Sequence, residues 1–349
     1  MRIASVASAF PPNRTAQPSI TATLEELWRD EPAAQRRLRT IHANCGVEHR
    51  DLALPLARYA QMRTFGEFND AWIEVALEIG ERAVVLALER AGLTPRDVDV
   101  ILFSTVTGLA APSIDARLVN RLGFRTDVRR MPLFGLGCVA GAAGVARAAD
   151  LVRGDPHGVV LLLNVELCSL NLQRDDVSLA HMISSGLFGD GACCAVITGA
   201  QHPARGTRID ATRSIFYPDT EEMMGWRISE RGFQIVLSPE VPVLARERLG
   251  PDVHAFLATH GLTHRDIDFW VCHPGGPKVL GAARDGLGLT DEQLALSWEC
   301  LREHGNLSSA SVLLILEKTL RERTPRPGAR GVMLAMGPGF CAELLLLTA

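Results

Sequence analysis

The chain contains one nine-residue segment twice. Gly-Leu-Thr-Pro-Arg-Asp-Val-Asp-Val occupies residues 92–100, and Gly-Leu-Thr-His-Arg-Asp-Ile-Asp-Phe occupies residues 261–269. Seven of the nine positions are identical or exchange one aliphatic residue for another. Each copy closes a helix-like pattern, passes through a turn and enters an apolar run typical of a buried strand. A repeated unit constrains the fold strongly, because one architecture has to accommodate both copies.

The two copies stay in register further along the chain. Cys138 begins a helical run of small residues in the first half, and Asn306 begins a comparable run in the second. Later, the apolar segment 158–163 resembles segment 331–335, and both are typical of central strands that are buried on both faces. These matches occur in the same order and at similar spacing, so they predict a duplicated α/β unit.

The length of the chain agrees with this prediction. A chain of 349 residues is too long for one ordinary core. We predict an N-terminal half, residues 1–215, that carries Cys138, and a C-terminal half, residues 216–349, that carries His273 and Asn306. A pseudo-twofold axis would bring the two equivalent helix N-termini together at the centre. His273, at the end of its strand, would lie nearby, where ligands bind in such sheets.

Cys138 has the surroundings of a reactive thiol. It follows an apolar, strand-like run and precedes an Ala- and Gly-rich run that can only pack as a tight, buried helix. The free N–H groups and the dipole of a helix N-terminus favour a thiolate over a thiol. The small residues let another backbone or a substrate approach closely. We interpret Cys138 as a nucleophile that carries an acyl group; the alternative is a buried, small hydrophobic residue.

His273 and Asn306 complete a candidate catalytic set. Cys, His and Asn residues that converge from separate parts of a chain are a recurrent nucleophile arrangement. The imidazole would hold the thiolate as an ion pair, and the amide would donate a hydrogen bond to a developing oxyanion or enolate. Structural interpretations stay open for both residues. His273 could be a satisfied histidine at a strand end, and Asn306 could be a helix N-cap.

Composition and charge exclude several classes of function. The net charge is −4 and no basic stripe dominates, which argues against a nucleic-acid-binding protein. No apolar run is long enough to span a bilayer. Segment 1–10 is apolar but short and precedes two prolines, so we expect a first β-strand rather than a signal peptide. The eight cysteines include no CxxC pair, which argues against a zinc site, and their apolar surroundings suit a reducing cytoplasm.

Four motifs together resemble those of the type III polyketide synthases, the chalcone-synthase-like members of the thiolase fold. They are the cysteine segment 135–141, the histidine segment 270–278, the asparagine segment 304–310 and the C-terminal loop 336–339. The resemblance runs along nearly the whole chain. It implies an α/β, thiolase-like fold in five layers (αβαβα) and an acyltransferase that uses CoA thioesters without a metal or organic cofactor. It further implies a cytoplasmic homodimer with no membrane insertion.

The resemblance also assigns roles to individual residues. It implies Cys138, His273 and Asn306 as the catalytic residues, and it places Phe188 where a CoA tunnel meets the substrate cavity. The implied cavity residues are Thr107, Cys168, Asn171, Phe188, Ile235, Ser308, Gly337, Pro338 and Gly339. The implied CoA-binding residues are Arg37, Gly275, Gly276 and Lys278. Arg37 belongs to a small basic cluster that could equally be a solvated helix face.

Within this family, segments 104–117 and 165–176 look closer to bacterial long-chain alkylresorcinol and alkylpyrone synthases than to the plant enzymes. Plant members carry a second gatekeeping phenylalanine, a methionine that reaches the partner's cavity and a threonine that narrows the cavity. This chain has Ile235, Ala111 and Asn171 at those places. We therefore expect a long alkyl starter rather than a bulky aromatic one.

The implied reaction starts when an acyl group loads onto Cys138, from CoA or from an acyl carrier protein or fatty acid synthase. Malonyl-CoA then loses CO₂ while His273 and Asn306 stabilise the enolate, which extends the chain over several rounds before cyclisation to an alkylpyrone or alkylresorcinol. One alternative is a single-condensation synthase of the same fold, such as an initiating 3-oxoacyl synthase or a hydroxymethylglutaryl-CoA synthase. The other is a non-catalytic scaffold, against which the intact Cys, His and Asn set argues.

Overall fold

Nine of the thirteen strands form one mixed sheet in the computed structural model, which describes residues 1–349. The strands are β1 (Arg2–Ala9), β2 (Asn13–Ala16), β3 (His49–Leu52), β4 (Val100–Thr105), β5 (Arg129–Phe134), β6 (Val159–Leu167), β7 (Asp190–Thr198), β8 (Thr207–Phe216), β9 (Met224–Ser229), β10 (Gly232–Leu237), β11 (Phe269–Cys272), β12 (Arg330–Gly337) and β13 (Cys341–Thr348). The helices are α1 (Gln17–Leu27), α2 (Pro32–Ala43), α3 (Leu56–Tyr59), α4 (Phe65–Ala91), α5 (Ile114–Leu122), α6 (Ala140–Gly154), α7 (Leu179–Leu187), α8 (Val241–Ala258), α9 (Pro277–Leu287), α10 (Ala295–His304) and α11 (Ser311–Glu322). None of these helices is both long enough and apolar enough to cross a membrane.

The order of strands in the large sheet confirms the duplication. It runs β11-β12-β13-β8-β1-β7-β6-β4-β5. Outward from the central β8–β1 pair, β13 corresponds to β7, β12 to β6 and β11 to β4, while β5 is an extra edge strand. The two halves of the sheet are joined only where Arg2 and Ile3 of β1 pair with β8.

The repeated nine-residue segment has the same local structure in both copies. Thr94 and Asp97 form a reciprocal capping box around a short 3₁₀ turn, and Thr263 and Asp266 do the same in the second copy. The glycine that precedes each turn has a left-handed backbone, with φ of +66° and +67°. Such a backbone suits glycine, which has no Cβ to clash. The identical residues are therefore those that shape the passage from helix to strand.

The buried side chains divide into five layers. Alternate residues of β4, β6 and β7 pack outward against α4. The intervening residues pack inward with α6 and α11, and the inward residues of β11, β12 and β13 meet the same two helices from the other side. The outward residues of those three strands pack against α8 and α9. The resulting order of helix, sheet, helix, sheet and helix confirms the predicted α/β, thiolase-like architecture.

Both central helices begin later than the sequence predicts. Cys138 lies in a 3₁₀ turn, Gly137–Val139, and α6 starts at Ala140. Asn306 precedes a second 3₁₀ turn, Ser308–Ala310, and α11 starts at Ser311. Each half therefore presents its polar residue on a tight turn just before the helix, where the backbone is not yet committed to helical hydrogen bonds. The predicted division into residues 1–215 and 216–349 stays a prediction, since β8 spans that boundary.

The start of α6 meets the turn Ser308–Ala310 at Gly141. A Cβ atom on Gly141 would lie 2.3 Å from the carbonyl oxygen of Ser309 and 2.6 Å from Cγ1 of Val312. Both distances are shorter than any van der Waals contact, so only glycine lets the start of α6 approach the second turn this closely. The run of small residues after Cys138 is thus explained by helix–helix contact at the centre of the fold.

Replacing Gly141 by alanine should therefore destabilise the protein by about 2 kcal/mol, the size of effect expected from overpacking a core. Urea unfolding followed by circular dichroism measures this. Gly154→Ala, at the open end of the same helix, is the matched control, because nothing lies within 4 Å of the added Cβ. Equal losses for the two variants would contradict the close contact described for Gly141.

Candidate active site

The turn that carries Cys138 is held by the loop between β12 and β13. A Cβ on Gly137 would lie 2.7 Å from Cδ of Pro338, and a Cβ on Gly337 would lie 2.6 Å from the amide nitrogen of Val139. The loop and the turn therefore touch backbone to backbone. Gly339, with φ of +120°, then turns the chain into β13. The loop predicted from residues 337–339 thus lies directly against the candidate nucleophile.

His273 follows the last residue of β11 and is buried, with 6% of its surface exposed. Its amide donates a hydrogen bond to the carbonyl of Leu334 at 3.0 Å, which continues the pairing with β12 for one more residue. Neither ring nitrogen has a hydrogen-bond partner. A structural histidine would have its nitrogens satisfied, so this ring is available to a ligand.

Asn306 is fixed by both its backbone and its side chain. Its amide donates to the carbonyl of Leu187 at 2.8 Å, and its carbonyl accepts from Gly189 at 3.0 Å. The side-chain oxygen Oδ1 accepts from the amide of Ser308 at 2.8 Å. Asn306 is therefore not a helix N-cap, because the N-cap residues of the two helical segments that follow are Leu307 and Ala310; its oxygen instead fixes the turn at Ser308. The Nδ2 donor is held in a defined direction.

Cys138, His273 and Asn306 line one small cavity. The cysteine sulfur lies 3.7 Å from Oγ of Ser308, and the side chain of Asn306 is within hydrogen-bonding reach of the same sulfur. Apolar residues form most of the remaining wall, including Met224, Leu334, Met336 and Phe340. The structure thus brings together the three residues that the sequence placed in separate segments, in a cavity whose wall is largely apolar.

Burial controls the protonation of the two titratable groups. It raises the pKa of the Cys138 thiol to about 12, against smaller opposite effects of hydrogen bonds from Ser308 and Asn306. It lowers the pKa of His273 to about 3. Burial therefore opposes the expected thiolate–imidazolium pair, because removing two charges from water counteracts the effect of the helix N-terminus. The pair stays a prediction.

Glu166, a fully buried carboxyl on β6, was not predicted as a site residue from the sequence. One carboxyl oxygen accepts from Oγ of Ser309 at 2.5 Å, and the other accepts from Oγ1 of Thr107 at 2.9 Å and from the amide of Val106 at 3.1 Å. Burial raises its pKa to about 7. The side chain ties the turn after Asn306 to β4 and β6. A single acidic residue inside a strand that is apolar except for Asn164 was the signal that could have revealed it.

The predicted cavity residues are distributed around this centre. Thr107 lies away from the cysteine cavity, and its hydroxyl serves the Glu166 network. Cys168, Asn171 and Phe188 line a second cavity. Cys168 and Phe188 share a small buried cluster with Cys138, and Ile235 packs against that cluster.

The predicted CoA-binding residues fall into two groups. Gly275 lines the cysteine cavity, and Gly276 sits so close to Leu187 that an added Cβ would lie 3.2 Å from its side chain. Arg37 on α2 and Lys278 on α9 are exposed cations, as phosphate contacts would require. Their role in holding CoA stays a prediction.

Both halves of the chain match known family models. Residues 53–202 match the N-terminal domain of the chalcone and stilbene synthases, and residues 208–349 match the C-terminal domain of the same family. These ranges include Cys138, His273 and Asn306.

Individual relatives match over nearly the full length. A 1,3,6,8-tetrahydroxynaphthalene synthase of Streptomyces peucetius is 49% identical over 348 residues, which cover 99% of this chain and 92% of that protein. A phloroglucinol synthase of Pseudomonas fluorescens is 33% identical over 343 residues, covering 96% and 95%. The crystal structure of the tetrahydroxynaphthalene synthase of Streptomyces coelicolor, a bacterial type III polyketide synthase, superimposes with a TM-score of 0.93 at 29% identity and covers 100% of this chain and 99% of that one.

The lowered pKa of His273 makes stability depend on pH. Below about pH 6.5 the unfolded chain binds a proton at this histidine that the folded chain rejects, so stability falls as pH falls. His273→Gln should remove that part of the loss, about 2 kcal/mol between pH 7 and pH 5. Urea unfolding at a series of pH values measures the difference from the unmodified protein.

The exposed His157→Gln is the control and should leave the pH dependence unchanged. If His273→Gln and the unmodified protein lost the same stability between pH 7 and pH 5, the imidazole would not be held neutral by burial.

Proposed function

This chain belongs to the chalcone and stilbene synthase family of type III polyketide synthases, and on that basis we propose that it builds an aromatic polyketide on Cys138 from malonyl units alone. As a member of this family it is an acyltransferase that acts on CoA thioesters without a cofactor. Membership also removes the single-condensation and scaffold alternatives. What the proposal adds is the residue that carries the chain and the kind of starter.

The products named for the relatives support a starter without a side chain. Tetrahydroxynaphthalene and phloroglucinol consist of ring carbons and hydroxyl groups only. Their skeletons divide into two-carbon units, five for the naphthalene and three for the benzene ring. A long alkyl starter would leave an alkyl substituent. The relatives therefore favour malonyl-CoA as both starter and extender over the long acyl starter expected from Ile235, Ala111 and Asn171.

The polarity of the cavity wall agrees with a polar growing chain. The cavity that Cys168, Asn171 and Phe188 line has a mixed wall, with eight hydrophobic residues out of fifteen. A tunnel for a long alkyl group would be apolar throughout. A growing poly-β-ketone carries an oxygen on every second carbon and suits such a mixed wall. This is the observation that carries the choice of starter.

The first step loads the starter. The Cys138 sulfur attacks the thioester carbonyl while its proton passes to the neutral imidazole of His273. The imidazolium and the Asn306 amide donate hydrogen bonds to the oxyanion. The CoA thiolate then leaves and takes the proton from His273. A neutral thiol and a neutral imidazole suit this step, because the proton then moves from Cys138 to His273 only as the sulfur attacks the bound thioester.

The second step makes the carbon–carbon bond. Malonyl-CoA loses CO₂, and the electron pair of the broken bond becomes an enolate held by the Nδ2 donor of Asn306 and the N–H of His273. The enolate carbon attacks the Cys138 thioester and releases the cysteine. Transfer of the lengthened chain from CoA back to Cys138 starts the next round, and ring closure ends the sequence.

The proposal extends to assembly and location. The edge strand β5 exposes Met131 and Phe134, and Leu109 lies exposed as well. Large exposed apolar side chains at a sheet edge support a homodimer formed there. All eight cysteines are unpaired, which supports a reducing cytoplasm. Delivery of a starter by an acyl carrier protein stays a prediction.

Incubation with malonyl-CoA alone tests the choice of starter. We expect an aromatic product without an alkyl substituent, in which ¹³C from labelled malonyl-CoA occupies every carbon, as read by mass spectrometry and NMR. If products formed only when a long-chain fatty acyl-CoA was added and carried its alkyl chain, the malonyl starter would be wrong and the long acyl starter right.

Substitution of Asn306 tests its role in decarboxylation. In a Cys138→Ala background, which cannot load a chain, the protein should still release CO₂ from malonyl-CoA. Adding Asn306→Ala should slow this release about 100-fold, the loss typical of one oxyanion donor. A double variant that decarboxylates as fast as Cys138→Ala would contradict the role given to Asn306.

A further inference from the structure

The cavity beside Cys168 and Phe188 contains a buried cation that the proposed chemistry does not use. Arg50, from β3, lines this cavity and is 2% exposed. Its Nη1 donates to the carbonyl of Phe188 at 2.8 Å. Its Nε and Nη2 have no hydrogen-bond partner. A buried guanidinium with two idle donors is costly to a fold, so its retention calls for a function.

No carboxylate of the protein forms an ion pair with Arg50 within 4 Å. The buried Asp190 interacts with Arg50 electrostatically from a greater distance. The Asp190 oxygens instead accept from the amides of Ala53 and Ser169. His181 also lines the cavity of Arg50. It is 3% exposed, and its Nε2 has no hydrogen-bond partner. Burial lowers the pKa of His181, so it offers a neutral ring.

The Arg50 cavity lies near the cysteine cavity, although the two have no lining residue in common. Phe188 and Cys168 line the former and share one buried cluster with Cys138. Cys168 is close enough to both Cys138 and Arg50 to interact with each electrostatically. The backbone also connects them, because Phe188 pairs with Asn306 as an isolated parallel bridge. A chain anchored on Cys138 therefore has Arg50 in its neighbourhood once it passes Cys168.

We propose that the Arg50 cavity binds the carboxylate at the free end of the growing chain, with the Arg50 guanidinium as its counter-ion. This inference rests on the proposed function, in which malonyl-CoA is the starter. A malonyl starter keeps its own carboxylate, and each condensation inserts two carbons next to the sulfur. The carboxylate therefore moves away from Cys138 with every round and enters the Arg50 cavity. A neutral starter has no charge to pair with Arg50.

Arg50→Gln tests the proposal, because the glutamine amide can still donate to the Phe188 carbonyl while the charge is gone. Two assays are compared: malonyl-CoA alone, and malonyl-CoA with hexanoyl-CoA as neutral starter. The full-length product of the first assay should fall about 10-fold, with shorter lactones in its place, as expected when a charge-assisted contact is lost. The hexanoyl-primed product should stay within about threefold.

The conservative Arg50→Lys is the matched control and should keep most of the malonyl-primed product, because it keeps the positive charge. An equal loss of both products in Arg50→Gln would overturn the inference and leave Arg50 as a support for Phe188. It would not touch the proposed function. If the unmodified protein made nothing from malonyl-CoA alone, the proposed function would fail, and this inference with it.

Ser184→Asp gives an independent test that leaves Arg50 in place, should Arg50→Gln fail to fold. The new carboxylate would line the same cavity and pair with the guanidinium. We expect selective loss of the full-length malonyl-primed product and retention of the hexanoyl-primed one. An unchanged ratio of the two products would overturn the inference.

Discussion

The contact between the two central turns is the constraint on which the rest of the site depends. Because residue 141 is glycine, the start of α6 can lie against the turn after Asn306. A Cβ added at this position would lie 2.3 Å from the carbonyl oxygen of Ser309. Gly137 and Gly337 allow the same closeness to the β12–β13 loop. Without these approaches the cysteine of one half and the asparagine of the other would face each other across a wider gap. The duplicated fold thus places the candidate active site where its two halves meet.

The site combines this tight packing with polar groups that the protein itself leaves unpaired. Both ring nitrogens of His273 and two nitrogens of Arg50 lack partners, although both residues are buried. Buried polar groups of this kind are normally satisfied, and exceptions in a native protein indicate function. A thioester at Cys138 and an anionic chain end near Arg50 would satisfy them. The proposed substrate would therefore supply the hydrogen-bond partners that the His273 and Arg50 nitrogens lack.

Much of this could be predicted from the sequence, since the relevant signals are local. The two copies around Asp97 and Asp266 predicted the duplication, and the positions of Cys138 and Asn306 relative to those copies predicted that they meet. The ionisation of Cys138 could not be predicted in the same way, because it depends on burial by distant segments rather than on the adjacent helix. Arg50 and Glu166 were missed for a similar reason: their importance comes from partners far away in the chain.

The choice of starter, which is a proposal for this chain, shows a different limit. Ile235 and Asn171 suggested room for an alkyl chain, but a residue's size does not state the polarity of the space behind it. That polarity comes from β3 and α7, through residues such as Arg50 and Ser184, which no motif connects to the cysteine.

The central claim is that Cys138 carries the growing chain, and mass spectrometry of the protein itself tests it most directly. The protein is mixed with malonyl-CoA, quenched in acid within its first turnovers and digested. We expect the peptide containing Cys138 to carry a series of adducts that differ by one two-carbon ketide unit, and the other seven cysteines to be unmodified. An unmodified Cys138 peptide, or the same series on another cysteine, would contradict the account.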